Sequence, residues 1–158
     1  MVYWIDTSSN LRLGIAPRPR GGDWLEGDIE QLKREGVDTL ISLLTLEEVS
    51  ELGLEQEAAA CATAGIGFRN FAIPDRNVPH SVPEFLAFAR SVHEKAVSGR
   101  AIADHCRACI GRSTILLATV MRLQGFSAEE AFDRISRARG LRVPDTPEQA
   151  EWIARLPI

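Results

Sequence analysis

Cysteine and long apolar runs are both scarce in this sequence, and each shortage argues against a class of protein. The 158 residues contain three cysteines, whereas a small secreted domain held by disulfides normally has an even and larger number. The longest wholly apolar runs, such as residues 115–118, are far shorter than the ~20 residues that a membrane-spanning helix requires. The residues after Met1 do not form a basic and then apolar secretory leader. We therefore expect a reduced, cytoplasmic protein without membrane association.

Positive charge is not in excess either. The chain has 18 lysines and arginines against 22 aspartates and glutamates, a net charge of −4. This balance argues against a nucleic acid partner, because such binding depends on clustered positive charge. His80 and His93 have no other histidine or cysteine at metal-ligand spacing. We expect no metal and no cofactor.

What remains is the composition of an ordinary globular chain, with 45% apolar and 25% charged residues and no internal repeat. At this length the simplest expectation is one domain, residues 1–158, acting as a monomer.

Extended and helical patterns alternate along the chain. Short β-rich runs predict strands at 2–5, 11–15, 37–44, 66–73 and 101–103. Apolar periodicity and capping residues predict helices at 24–35, 54–64, 81–99, 113–124 and 127–138, and Thr45 with Glu48 fits a capping box. The alternation indicates an α/β fold with a mostly parallel central sheet flanked by helices on both faces. In such sheets ligands bind at the carboxyl ends of the strands.

A cysteine and an arginine follow the strand at 101–103. Cys106 precedes Arg112 by six positions, and the residues between can form a loop whose backbone N–H groups converge on one point. A helix that begins near Arg112 adds its positive end to that point, and the guanidinium can bind two phosphate oxygens at once. The predicted phosphate-binding residues are Arg107, Ala108, Cys109, Ile110, Gly111 and Arg112.

The same surroundings would activate the sulfur of Cys106. A free thiol has a pKa near about 8.5, but beside a helix N-terminus and an arginine the pKa can fall to ~3.5–7.5 and leave a nucleophilic thiolate. The competing interpretation is a buried structural cysteine, which is common for this residue type.

Residues 105–113 resemble the Cys-x5-Arg-Ser/Thr signature of the protein tyrosine phosphatase superfamily, and the chain length fits its small dual-specificity branch. The resemblance implies the cysteine phosphatase fold and a phosphocysteine intermediate on Cys106. It also implies that Asp75, which lies 31 positions before Cys106 in an Ile-Pro-Asp sequence, is the general acid. Ser113 would donate a hydrogen bond to the departing thiolate.

Two further residues are assigned by the same resemblance. Residues 146–149 resemble the late glutamine loop of the family, which implies that Gln149 orients the hydrolytic water. The same four residues also form a capping box, so a purely structural role stays open. His105 is expected to support the signature segment through hydrogen bonds.

Two positions depart from the family pattern. Cys109 stands where the family has glycine, so its side chain could strain the loop, and it forms a Cys-x-x-Cys with Cys106 that could protect Cys106 by disulfide formation. Asp104 stands where an apolar residue is usual, and it could raise the pKa of Cys106. A phosphate-binding pseudophosphatase and a redox protein therefore remain alternatives to a working phosphatase.

The substrate is less clearly indicated. The chain is too short for the insertions that deepen the phosphotyrosine pocket in larger family members, so the resemblance implies a shallow pocket. We expect phosphorylated proteins, on tyrosine and on serine or threonine, or small phosphomonoesters as the substrates.

Overall fold

The computed structural model describes residues 1–158 and contains one five-stranded sheet. The strands run in the spatial order β1-β2-β5-β3-β4, with β1 antiparallel to β2 and every other pair parallel. The strands are β1 (Tyr3–Trp4), β2 (Leu13–Ile15), β3 (Thr39–Ser42), β4 (Gly67–Asn70) and β5 (Ile102–His105). The predicted mostly parallel sheet is confirmed.

Seven helices cover the sheet, and a short 3-10 turn, Gly22–Trp24, precedes the first of them. The helices are α1 (Leu25–Arg34), α2 (Leu46–Glu51), α3 (Glu57–Ala64), α4 (Val82–Val97), α5 (Gly111–Gln124), α6 (Ala128–Arg139) and α7 (Pro147–Ala154). No helix is both long enough and apolar enough to cross a membrane.

The two faces of the sheet bury separate apolar clusters. Because side chains alternate along a strand, Ile102 of β5 packs into the cluster formed with α4 to α7, whereas Ala103 packs into the one formed with α1 and α3. Residues 111–121 of α5 are all buried, which explains why the apolar residues of this helix are not confined to one stripe.

Most predicted elements form, with shifted ends. The helix predicted at 54–64 begins only at Glu57, and the strand predicted at 66–73 is confined to Gly67–Asn70. The strand predicted at 101–103 is longer than expected and runs to His105. Asp104 and His105 are polar, so the apolar pattern that predicted this strand did not extend to them. Pairing of β5 with β2 on one side and β3 on the other keeps both residues in the sheet.

Candidate active site

The loop after β5 leaves the sheet at its centre, because β5 lies between β2 and β3. α5 begins at Gly111 without a side-chain N-cap, so its first N–H groups have no partner in the helix. The N–H groups of Arg107, Ala108 and Ile110 also make no hydrogen bond within the chain. Free N–H groups at the positive end of a buried helix can bind an anion such as phosphate. We call residues 106–112 the signature loop.

Cys106, the first residue of the signature loop, is buried at 2% exposure. Its sulfur accepts the N–H of Cys109 at 3.2 Å and the hydroxyl of Ser113 at 3.4 Å. The pKa of Cys106 lies well below that of a free thiol, chiefly because the Cys109 side chain hydrogen-bonds to the sulfur. Burial opposes this shift, while Ser113 and the charge of Arg112 reinforce it. The surroundings therefore favour a nucleophilic thiolate.

Arg112, at 1% exposure, is held by three groups. One terminal nitrogen donates to Glu48 at 2.6 Å and to the carbonyl of Ile73 at 2.8 Å. The other donates to Glu48 at 2.9 Å and to Asp75 at 3.0 Å. A guanidinium has five N–H donors, so only the Nε–H of Arg112 remains without a partner. That N–H and the one now on Asp75 lie along one edge of the group, where two phosphate oxygens could bind.

Glu48 pairs with both Arg107 and Arg112. The sequence indicated this residue only as part of a capping box. That box is present, since Glu48 and Thr45 exchange hydrogen bonds at the start of α2. The carboxylate also accepts from Arg107 at 3.2 Å. Burial raises the pKa of Glu48, but the Arg112 and Thr45 hydrogen bonds outweigh it and lower the pKa to about 2. Its contact with Arg112 spans 64 residues, and no local pattern carries such a pairing.

Asp75 lies in the 74–80 loop, which joins the site through Arg112. Its side chain is 52% exposed and lines an open cleft together with Glu48 and Arg107. The next residue, Arg76, pairs with Asp145 at 3.0 Å. This ion pair ties the loop carrying Asp75 to the segment that precedes α7.

Gln149 is fully buried between the same two segments. Its amide oxygen accepts the N–H of Thr146 at 3.2 Å, and its amide nitrogen donates to the carbonyl of Asn77 at 3.0 Å. It also lies against Gly111, where an added Cβ would come within 2.6 Å of the Gln149 amide. Gln149 therefore bridges the signature loop and the 74–80 loop, and only glycine fits at position 111.

Cys109 adopts a left-handed conformation, with φ of 58°, which a side chain disfavours by roughly 1–2 kcal/mol. Its single S–H has two neighbouring acceptors, the Cys106 sulfur and the carbonyl oxygen of Ala16, which is 3.2 Å from the Cys109 sulfur. The pKa of Cys109 is raised, because it shares hydrogen bonding with Cys106 and is buried. Both cysteines are free thiols, and the redox interpretation stays a prediction.

Asp104 is fully buried, and neither carboxyl oxygen has a hydrogen-bond partner. Its pKa is raised well above the usual value by burial and by the nearby charge of Cys106. The uncharged form is therefore favoured, and in that form Asp104 does not oppose the thiolate.

His105 lies on the opposite face of β5, where its Nε2 is 2.5 Å from a carboxylate oxygen of Glu57 in α3. Both side chains are buried, at 0% and 2% exposure. Nothing in the sequence indicated Glu57, because a glutamate in the first turn of a helix is ordinary. The pair fixes the strand residue that precedes Cys106.

Solved structures of known phosphatases share this architecture. Kinase associated phosphatase (KAP), with its catalytic cysteine substituted by serine, matches with a TM-score of 0.83 at 19% identity, over 97% of this chain and 91% of that chain. The active form of Tk-PTP matches with a TM-score of 0.74 at 23% identity, over 98% and 95%. P. aeruginosa TpbA matches with a TM-score of 0.63 at 18% identity, over 98% and 88%. At these identities the likeness establishes the fold.

The sequence itself identifies the family. No curated protein matches the chain, but residues 16–125 match the family model described as Tc-R-P, polymorphic toxin system, DSP-PTPase phosphatase. This range holds β3 to β5, the 74–80 loop and the whole signature loop. The chain therefore belongs to the DSP-PTPase phosphatase family of polymorphic toxin systems and is a cysteine-based phosphoric monoester hydrolase.

Proposed function

We propose that this phosphatase acts in two steps through a phosphocysteine on Cys106, with the roles that the sequence predicted for Arg112, Asp75 and Ser113. The observation that carries the proposal is the loop that follows Cys106. The Cys109 N–H and the Ser113 hydroxyl hold the sulfur, while the N–H groups of residues 107, 108 and 110 and the Nε–H of Arg112 have no partner in the chain. A thiolate, an anion-binding loop and a fixed guanidinium are the parts that phosphoryl transfer needs.

In the first step, a phosphate monoester binds to the N–H groups of residues 107–112 and to the open edge of Arg112. Its oxygens replace Asp75 on the guanidinium, while Glu48 and Ile73 continue to hold the opposite edge. Asp75 then protonates the leaving oxygen as the sulfur of Cys106 attacks phosphorus. The hydrogen bond from Ser113 stabilises the sulfur when it later departs as thiolate.

In the second step, ionised Asp75 takes a proton from the water that attacks the phosphocysteine. For Gln149 we propose a role other than orienting the hydrolytic water, the role that the family resemblance implies. Because both ends of its amide already bind backbone groups, we assign it to holding the 74–80 loop, and through that loop Asp75, against the signature loop.

The proposed substrates are phosphorylated proteins, on tyrosine and on serine or threonine, and small phosphomonoesters. Asp75 and Arg107, with exposed side-chain fractions of 52% and 36%, stand at an open cleft of about 440 Å³. Glu48, the partner of Arg112, also lines this cleft, and we propose that phosphorylated side chains of either kind enter the site through it. A larger groove lies between α6 and α7, away from Cys106.

The test is to trap the intermediate with a ³²P-labelled aryl phosphate and an acid quench. The wild-type protein should carry label, and Cys106→Ser should carry none. Cys61→Ala removes a buried cysteine of α3 that lies outside the site and should label like the wild type. Turnover without a trapped label, or label that survives Cys106→Ser, would refute the phosphocysteine. Binding of orthovanadate without any turnover would indicate a pseudophosphatase instead.

A further inference from the structure

Two arginines from distant segments bind the outer side of the signature loop. Arg18 donates to the carbonyl of Arg107 at 3.1 Å, and the Nε–H of Arg139 donates to the carbonyl of Cys109 at 2.9 Å. The partners are separated by 89 and 30 residues. Neither arginine has a carboxylate within salt-bridge distance, unlike Arg107, which pairs with two glutamates.

Each of these hydrogen bonds determines the direction of a loop N–H. A peptide unit is planar and trans, so its C=O and N–H point in opposite directions. When Arg18 binds the carbonyl of Arg107, the N–H of Ala108 in the same peptide unit must point away from Arg18. When Arg139 binds the carbonyl of Cys109, the N–H of Ile110 must likewise point away from Arg139. Both N–H groups lack a partner within the chain and belong to the proposed phosphate-binding set.

The second of these peptide units is the one that most needs support. Cys109 has φ of 58°, a conformation that glycine adopts freely and cysteine does not. Rotation of φ at Cys109 into the usual negative range would relieve the residue, but it would displace the peptide that carries the Cys109 carbonyl and the Ile110 N–H. The hydrogen bond from Arg139 opposes that rotation.

Contacts outside the loop restrain the guanidinium of Arg139 and the backbone at Arg18. Arg139 ends α6 and lies 4.5 Å from the ring centre of Tyr3 in β1, a cation–π contact. Arg18 stands between Pro17 and Pro19, whose rings restrict the backbone. The same segment also reaches the loop through the Ala16 carbonyl oxygen, which is 3.2 Å from the Cys109 sulfur.

We infer that Arg18 and Arg139 are positioning residues that hold the signature loop in its anion-binding conformation and so stand in for the glycine that the loop lacks at position 109. This rests on the proposed function of the loop. Their unneutralised charges add to the positive potential that the loop presents to an anion.

The test compares each arginine with a surface arginine of the same segment. Arg139→Ala is matched by Arg137→Ala, since Arg137 pairs with Asp133 on α6. Arg18→Ala is matched by Arg20→Ala, since Arg20 pairs with Asp28.

We expect kcat/KM for an aryl phosphate to fall about 10- to 100-fold in Arg139→Ala, which is less than the roughly 10²–10³-fold loss when an oxyanion donor is removed outright. In Arg18→Ala the fall in kcat/KM should be smaller, because Arg107, whose carbonyl Arg18 binds, does not have the positive φ of Cys109. Both controls should stay within about twofold of the wild type.

Two readouts that need no turnover separate positioning from general damage. Calorimetric binding of orthovanadate should weaken in parallel with kcat/KM, and the pH midpoint for alkylation of Cys106 by iodoacetamide should rise. If the wild-type protein shows no turnover but these shifts occur, the proposed function fails and the positioning role stands. If Arg139→Ala binds orthovanadate and alkylates like Arg137→Ala, the positioning role is refuted.

A double variant tests the link to Cys109. Glycine adopts a φ of 58° without strain, so the loss of orthovanadate affinity caused by Arg139→Ala should be smaller in the Cys109→Gly background than in the wild-type background. Additive losses in the double variant would contradict the inference. If Arg139→Ala does not fold, Arg139→Met takes its place, because methionine keeps an aliphatic side chain packed on Tyr3. Arg139→Met should also bind orthovanadate more weakly than the wild type.

Discussion

The guanidinium of Arg112 and the carboxylate of Glu48 form two parallel hydrogen bonds, of 2.6 and 2.9 Å, with side-chain exposures of 1% and 9%. The pair uses one edge of Arg112, and on the edge with Nε the only partner is Asp75, which the proposed phosphate would replace. Glu48 therefore determines which way the guanidinium of Arg112 faces.

Glu48→Gln should impair both stability and catalysis. Glutamine still completes the capping box of α2, so the variant removes the charge and leaves the helix start intact. Breaking a buried ion pair costs about 3 kcal/mol of unfolding free energy, and we expect kcat/KM to fall at least tenfold as Arg112 loses its orientation. Denaturant unfolding and steady-state kinetics measure the two effects. Glu55→Gln, on the surface, should change neither.

The stability difference should also depend on pH. The pKa of Glu48 is about 2 in the folded protein against an ordinary value of 4.5, so the folded state binds fewer protons. Its contribution is complete above about pH 4.5 and is lost as the pH falls toward 2. The gap between wild type and Glu48→Gln should narrow over that range, and a constant gap would contradict the assignment.

Asp75→Asn should slow the reaction in proportion to how poor the leaving group is. General acid catalysis contributes about 10²–10⁴-fold, and phenyl phosphate needs a proton more than p-nitrophenyl phosphate does. We expect the variant to lose much more activity on phenyl phosphate. Equal losses on both substrates would indicate that Asp75 only holds Arg112. Asp23→Asn, at an exposed position, serves as the control.

Asp104→Val should stabilise the protein. A buried carboxyl group without hydrogen bonds costs about 1–3 kcal/mol, and valine suits the apolar surroundings. The raised pKa of Asp104 means that the folded state binds more protons, so the wild type loses stability as the pH rises above about 4. Thermal unfolding from pH 4 to 8 should show a gain for Asp104→Val that grows with pH. A variant less stable than the wild type would indicate an unseen polar role.

Cys109→Gly should raise the pKa of Cys106, because hydrogen bonding from the Cys109 side chain is the chief cause of its lowering. Alkylation by iodoacetamide across a pH series should show a higher midpoint in the variant, and Cys61→Ala should show none of this shift. An unchanged midpoint would mean that Ser113 and Arg112 alone are sufficient to lower the pKa of Cys106.

The same variant tests the redox alternative. Peroxide would oxidise the Cys106 thiolate to a sulfenic acid, from which the Cys109 thiol would displace water to form a disulfide. Activity lost to peroxide should then return with dithiothreitol in the wild type and much less in Cys109→Gly. Equal recovery in both would exclude a protective role for Cys109.

The fold was largely predictable because its signals are local. Alternating strand and helix patterns indicated the parallel sheet, and the capping boxes at Thr45 and Thr146 are present as expected. The ends of β5 were missed because Asp104 and His105 are polar, and only pairing with two neighbouring strands keeps them in the sheet.

The sequence by itself determined the candidate nucleophile and its loop, since Cys106 to Arg112 is a contiguous segment whose spacing carries its chemistry. Only the tertiary structure brought Glu48 to Arg112, Glu57 to His105, and Arg18 and Arg139 to the back of the loop. These contacts join residues 30 to 89 positions apart. Their charges and hydrogen bonds act over a few ångströms of space, and chain folding alone decides which side chains come that close.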